Sequence, residues 1–124
     1  MTGFAKTLDD VQLSSSFRYV EDNYLALAEL SIIDFEFLKD IVKEGEDETW
    51  VFFNRLIVPP AIRNRGVATK LMEQVIEWAD EEKINIFNGV NAYGDLNLPQ
   101  LIRFYSKFGF KKLSKATMIR MFKR

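Results

Sequence analysis

Neither cysteine nor histidine occurs among the 124 residues, and there are only 3 prolines and 6 glycines. Without cysteine there is no disulfide, no thiolate nucleophile and no cysteine-ligated zinc. Without histidine the commonest general base, the usual serine triad and most metal sites are gone as well. Chemistry must then rest on carboxylates, Tyr, Lys, Ser/Thr or backbone groups, and no metal is expected. No stretch approaches the roughly 20 apolar residues of a membrane span, and the opening MTGFAKTLDD lacks the apolar core of a signal peptide. The expectation is a soluble cytoplasmic protein with no membrane partner.

Acidic residues are missing from one part of the chain. Residues 96–124 hold 8 basic and no acidic side chains, 49–95 hold 5 and 6, and 1–48 hold 4 and 12. The net charge is therefore only −1 although the two ends are strongly opposite. Such polarity can hold an anionic ligand at one end and a cationic partner at the other, or simply make two solvated faces that attract each other. A pI near 5.5 argues against a nucleic-acid-binding module. What is present is a globular composition, 48% hydrophobic and 28% charged, long enough to form one domain over residues 1–124.

Residues 17–20 and 24–30 read as two strands joined by a turn at Asp22-Asn23. Residues 34–48 fit a helical face (Phe35, Leu38, Ile41, Val42) and a strand equally, before EGEDE breaks either. TWVFFNRLIV, residues 49–58, is nearly continuously apolar, as a central strand covered on both faces would be, and Pro59-Pro60 stops it. Ala68, Leu71, Met72, Val75, Ile76 and Ala79 then recur three and four apart, predicting an amphipathic helix over about 66–82. A short strand over 84–90 follows, and the strand, helix, strand order implies a parallel crossover that sets it beside the first strand. Asn97, with Pro99 just inside, opens a second helix that runs through Leu101, Ile102 and Tyr105 to Gly109. Phe110 and residues 117–122 supply closing strands. The basic stretch Lys107 to Arg124 is read mostly as a solvated strand edge.

The segment richest in chemistry joins a strand end, a basic loop and a helix start: Val58-Pro59-Pro60-Ala61-Ile62-Arg63-Asn64-Arg65-Gly66-Val67-Ala68. A helix start presents unpaired N–H groups and partial positive charge, so it suits phosphate. Gly66 and Ala68 allow close backbone approach, and Arg63 and Arg65 add charge. It is neither a P-loop nor a G-x-G-x-x-G dinucleotide turn.

This segment resembles the acyl-CoA motif of the GNAT superfamily of N-acetyltransferases. Downstream, Leu101-Ile102-Arg103-Phe104-Tyr105-Ser106-Lys107-Phe108-Gly109-Phe110 resembles the closing helix and Gly-Phe turn of that family. The resemblance covers residues 49–112. It implies an α/β (α+β) fold of the acyl-CoA N-acyltransferase type: a mixed, mostly antiparallel sheet flanked by helices, with a central parallel pair that splays apart. It also implies acetyl-CoA as co-substrate. Ile57 and Val58 would pair with the pantetheine arm, while Arg63, Asn64, Arg65, Gly66, Val67, Ala68 and Thr69 would wrap the pyrophosphate. Tyr105 matches the family's general acid, which protonates the departing thiolate; the alternative reading of the Phe104-Tyr105 pair is a core aromatic whose hydroxyl is satisfied by backbone.

The chain departs from the family pattern at several places. Many relatives carry Gly where this chain has Asn64, a residue that still tolerates a left-handed backbone. The family's cofactor-binding Asn usually stands seven residues before the Tyr; that position is Leu98, and Asn97 stands one residue early. No carboxylate occupies residues 54–58 or 87–90, where relatives often carry a base, which leaves Glu29, Glu36, Asp95 or a backbone-and-water relay. The front, where the family's substrate-binding helices sit, is short. The function implied is direct transfer of acetyl to a primary amine, with a protein lysine or polyamine favoured by the acidic front half. The alternative is a catalytically weak interaction protein that keeps the fold and binds CoA or a protein partner without turnover. A homodimer is left open.

Overall fold

A computed structural model describes residues 2–9, 14–90 and 96–123. Strand β1 (Thr2–Asp9) pairs antiparallel with β2 (Ser14–Glu21), and β2 with β3 (Tyr24–Ile33) through the turn at Asp22-Asn23. Asp22 takes a positive φ of 54°, which a short polar side chain tolerates and a hairpin turn requires. Strand β3 alternates buried Ala26, Ala28 and Leu30 with less buried neighbours, the period-2 signature of a sheet with one face on a core. Its other neighbour is β4 (Thr49–Ile57), again antiparallel.

Helix α1 (Val67–Glu81) follows β4 and returns the chain to β5 (Ile84–Gly89), which lies parallel to β4 in the register Thr49↔Ile84 to Phe53↔Asn88. Val67, Leu71, Met72, Val75 and Ala79 are the buried stripe of α1, and they pack on the sheet face carrying Val51, Phe53, Ile84 and Ile86. Helix α2 (Leu98–Ser106) is followed by the hairpin of β6 (Lys111–Ser114) and β7 (Thr117–Arg120). The finished seven-stranded sheet has the order β1-β2-β3-β4-β5-β7-β6, and every pairing except β4·β5 is antiparallel. This is the mixed sheet expected, with its parallel pair at the centre.

Three features differ from the sequence reading or complete it. Strand β1 was not anticipated, because Lys6 interrupts its apolar alternation and its partner β2 supplies the pairing from elsewhere in the chain. Residues 34–48 are neither of the two alternatives. A single 3-10 turn, Phe35–Phe37, is capped by the Asp34 side chain, which accepts from the Glu36 N–H at 3.0 Å, and turns follow. Leu38 and Val42 from this segment join Trp50 and Phe87 in a second core on the opposite sheet face, and the Trp50 indole donates to the Gly45 carbonyl at 2.8 Å. Finally, β6 is an exposed edge strand with Lys111 and Lys112, as the basic stretch suggested, yet Arg120 on β7 is buried. Among the described residues no helix is long and apolar enough to cross a membrane.

Candidate active site

The site is built where the parallel pair stops. Phe53 and Asn88 are the last partners of β4 and β5. On its other side β4 carries a bulge: Glu29 faces Arg55 and Leu30 faces Phe53, so Asn54 is an extra residue with no partner in either register. A bulge bends its strand and frees backbone groups from the ladder, which is how two paired strands can diverge without losing their twist. The Asn54 amide oxygen accepts from the Ser31 hydroxyl at 3.1 Å.

Beyond the divergence a cleft of about 600 Å³ opens between the end of β4, the start of α1, the end of β5 and α2. Ile57 and Val58 line it from β4, Arg63 and Asn64 from the loop, Gly66, Val67, Ala68 and Thr69 from the first turn of α1, and Tyr105 from α2. Nine of the sequence-predicted residues therefore meet in one cavity. Among the described residues the helix start has no side-chain cap, and its first turn carries no acidic residue. Its N–H groups and partial positive charge therefore face the cleft with no acidic side chain of the helix's own first turn to neutralise them.

The loop owes its shape to two positive-φ residues, Asn64 at 64° and Gly66 at 78°. A Cβ built on Gly66 would meet nothing within 4 Å, so its requirement is conformational and its outer side is open to a ligand. Arg63 Nε donates to the Val58 carbonyl at 2.8 Å, which ties the loop back onto the strand end.

Arg65 and Asn97 are not among the lining residues. Arg65 ion-pairs with Glu21 at the β2–β3 turn, and the other Glu21 oxygen accepts from the Tyr19 hydroxyl at 2.8 Å. That hydrogen bond to a carboxylate raises the Tyr19 pKa, because ionised Tyr19 would lose the donor and face the charge. Asn97 is the N-cap of α2: its side chain accepts from the Gln100 N–H at 3.0 Å, and the Gln100 side chain accepts from the Asn97 N–H at 2.8 Å, a complete capping box.

Tyr105 is buried and held by three edge-on rings, Phe104 at 5.3 Å, Phe110 at 5.6 Å and Phe53 at 5.9 Å. It belongs to the core and also lines the cleft. Of the candidate bases, Glu29 and Glu36 do not line the cleft, Glu29 facing Arg55 at 3.3 Å and Glu36 being bound to Lys39, and Asp95 lies outside the described residues. Among the described residues none that lines the cleft is a carboxylate. Among the described residues there is also no group of three His, Cys, Asp or Glu that could hold a metal.

Sequence reasoning missed Asn54 and Asn88, both of which line the cleft. The available signal was their polarity within the apolar runs TWVFFNRLIV and INIFNGV, where an amide has no obvious partner.

Two strands part at a bulge, and the start of α1 and the buried Tyr105 share the cleft that opens there. The chain belongs to the Acetyltransferase (GNAT) family, whose pattern it matches over residues 5–110. Acetyltransferase Atu2258 of Agrobacterium fabrum is 33% identical over 64 residues, which are 52% of this chain and 43% of that protein. The match thus spans less than half of that relative's length. Two solved structures show the same fold. The anti-CRISPR protein AcrVA5 superposes with a TM-score of 0.53 at 16% identity, covering 84% of this chain and 96% of the other. The Bacillus subtilis N-acetyltransferase YlbP, in complex with coenzyme A, superposes with a TM-score of 0.58 at 16% identity, covering 86% of this chain and 66% of its own.

Proposed function

We propose that this protein is an acetyl-CoA-dependent N-acetyltransferase that passes acetyl directly to a primary amine. The observation that carries the reading is one cleft shared by an uncapped helix start and Tyr105. Family membership and the coenzyme A complex of YlbP support the choice of cofactor. The residues fit such a ligand: the open side of Gly66 and the N–H groups of Val67, Ala68 and Thr69 suit a pyrophosphate, and the main chain of Ile57 and Val58, past the last pairing to β5, suits an extended arm.

When bound, acetyl-CoA supplies the acetyl group as a thioester. The Asn54 bulge offers backbone N–H groups to the acyl oxygen in the gap between β4 and β5. As the neutral amine nitrogen forms its bond to the acyl carbon and the carbon–sulfur bond breaks, Tyr105 would give its phenolic proton to the sulfur; the extra proton on the new amide nitrogen would pass to water, and water would return a proton to the Tyr105 phenolate. A phenol keeps its proton at neutral pH, and the Tyr105 ring is fixed by its aromatic neighbours. The absence of cysteine agrees with direct transfer.

For the acceptor, a protein lysine or a polyamine is favoured. Residues 34–48 carry Asp34, Glu36, Asp40, Glu44, Glu46, Asp47 and Glu48 against Lys39 and Lys43, a field that draws cations. In this reading residues 1–124 act as one catalytic unit in the cytoplasm, without metal.

A second reading keeps the cofactor and drops turnover, and the lack of a carboxylate among the described residues that line the cleft favours it. One experiment separates the two. Acetyl-CoA is titrated calorimetrically into the purified protein, which is then mixed with acetyl-CoA and a cell lysate for mass spectrometry. Micromolar binding with a mass gain of one acetyl group on a lysate component supports the transferase. Binding without any acetylated product supports the interaction protein, and no binding overturns both.

A further inference from the structure

A buried amide that lacks a hydrogen-bond partner has given up water for nothing, so folded proteins rarely contain one. Asn88 is such a residue. It is 2% exposed, and among the described residues its Nδ2 has no partner. The fold satisfies its other buried polar side chains. Asn85 Nδ2 donates to Glu48 Oε1 at 3.1 Å and its Oδ1 accepts from the Phe122 N–H at 2.9 Å, while Arg120 donates to the Phe108 carbonyl and to Asp80. Along β5, Ile84 and Ile86 share a face with Asn88 and are plain core residues, so an apolar side chain is what packing alone would select at 88.

The location of the orphan amide says what it waits for. Asn88 lines the cleft and is the last partner of β4, opposite Phe53, whose ring touches Tyr105. It therefore stands at the divergence of the strands, where the acyl transfer is placed. A neutral N–H donor suits a neutral carbonyl oxygen better than a phosphate, for which the loop and helix start already provide charge. An attacking amine would need an acceptor rather than a donor.

We propose that Asn88 binds the acyl carbonyl: its Nδ2 donates a hydrogen bond to the thioester oxygen, beside the backbone of the Asn54 bulge. The inference rests on the reading of the cleft as the acetyl-CoA site. It has a consequence of its own. Free coenzyme A ends in a thiol and has no such carbonyl, so Asn88 makes the protein prefer the acylated form and lets the spent cofactor go.

The test compares acetyl-CoA and free coenzyme A by calorimetry on the wild type and on Asn88→Leu and Asn88→Val, two donor-less and strand-compatible side chains. Acetyl-CoA affinity falls about tenfold in both variants while coenzyme A affinity is unchanged. The melting temperature of Asn88→Leu is equal to or above that of the wild type, because an unsatisfied amide has been removed. Should one variant fail to fold, the other decides. Equal losses for the two ligands, or no loss for acetyl-CoA, overturn the inference and leave the cleft assignment standing. A wild type that binds neither ligand overturns the cleft assignment, and the Asn88 inference with it.

Discussion

Arg120, on the β7 strand, grips Asp80, on the last turns of α1, with two parallel hydrogen bonds: Nη1 to Oδ1 at 2.8 Å and Nη2 to Oδ2 at 2.9 Å. Arg120 Nε donates to the Phe108 carbonyl at 2.7 Å, and the guanidinium lies under Gly109, where a Cβ would approach Nε to 3.3 Å. Asp80 Oδ1 also accepts from the Lys123 N–H at 2.9 Å. One ion pair thus joins the crossover helix, the Gly-Phe turn and the chain end. Arg120 is 3% exposed, so removing Asp80 leaves a buried cation unpaired.

That pair predicts a pH dependence. The Arg120 hydrogen bonds hold the Asp80 carboxyl below its ordinary value of 3.8, more than burial raises it. A depressed folded pKa adds stability that is fully present above the unfolded value and lost as pH falls through the folded one. Asp80→Asn should destabilise by about 3 kcal/mol at neutral pH. The gap from wild type should hold above about pH 5 and narrow only below 3.8. Denaturant unfolding at a series of pH values measures it; a gap that widens on acidification would contradict the assignment.

Tyr105→Phe should keep the ring contacts to Phe53, Phe104 and Phe110 and remove only the proton donor. The expected result is a fall in kcat of about 10²-fold or more with acetyl-CoA affinity retained. Steady-state kinetics combined with calorimetry reads the two separately. Weaker binding at unchanged turnover would remove Tyr105 from the role of acid.

Gly66→Glu should abolish acetyl-CoA binding by setting a carboxylate at the bare helix start. The positive φ of 78° costs a non-glycine residue about 1–2 kcal/mol, partly offset by the favourable charge at the helix start. Gly66→Asn is the control, since Asn accepts the same backbone without the charge. Unaltered binding by the Glu variant would place the pyrophosphate elsewhere.

Asn97→Ala should lower stability by about 1 kcal/mol through loss of the capping box, with acetyl-CoA affinity unchanged. Thermal unfolding and calorimetry on one sample decide it. A selective loss of affinity would show that Asn97 also serves the ligand.

The elements that were legible in the sequence share one property, a local signal. The three-and-four spacing from Ala68 to Ala79, the Asp22-Asn23 turn, the apolar run ending at Pro59 and the Asn97 cap each act within a few residues, and each element formed where its signal placed it. The loop from Arg63 to Thr69 was legible for the same reason, because a strand end, a glycine and a helix start are contiguous in the chain.

Everything that depends on residues far apart was decided by the tertiary structure. Strand β1 exists because β2 offers it an edge, and residues 34–48 took neither regular form because Leu38 and Val42 had to reach Trp50 and Phe87. Arg65 and Arg120 look alike as basic residues in the sequence. One met Glu21 at the surface, whereas the other met Asp80 in the interior, since only the packed sheet brings those pairs together. The orphan amide of Asn88 is legible last of all. Its polarity stands in the sequence, but that its Nδ2 has no partner among the described residues and that it lines a cleft follow from two strands parting at Phe53 and Asn88, a property that belongs to their pairing and to neither strand alone.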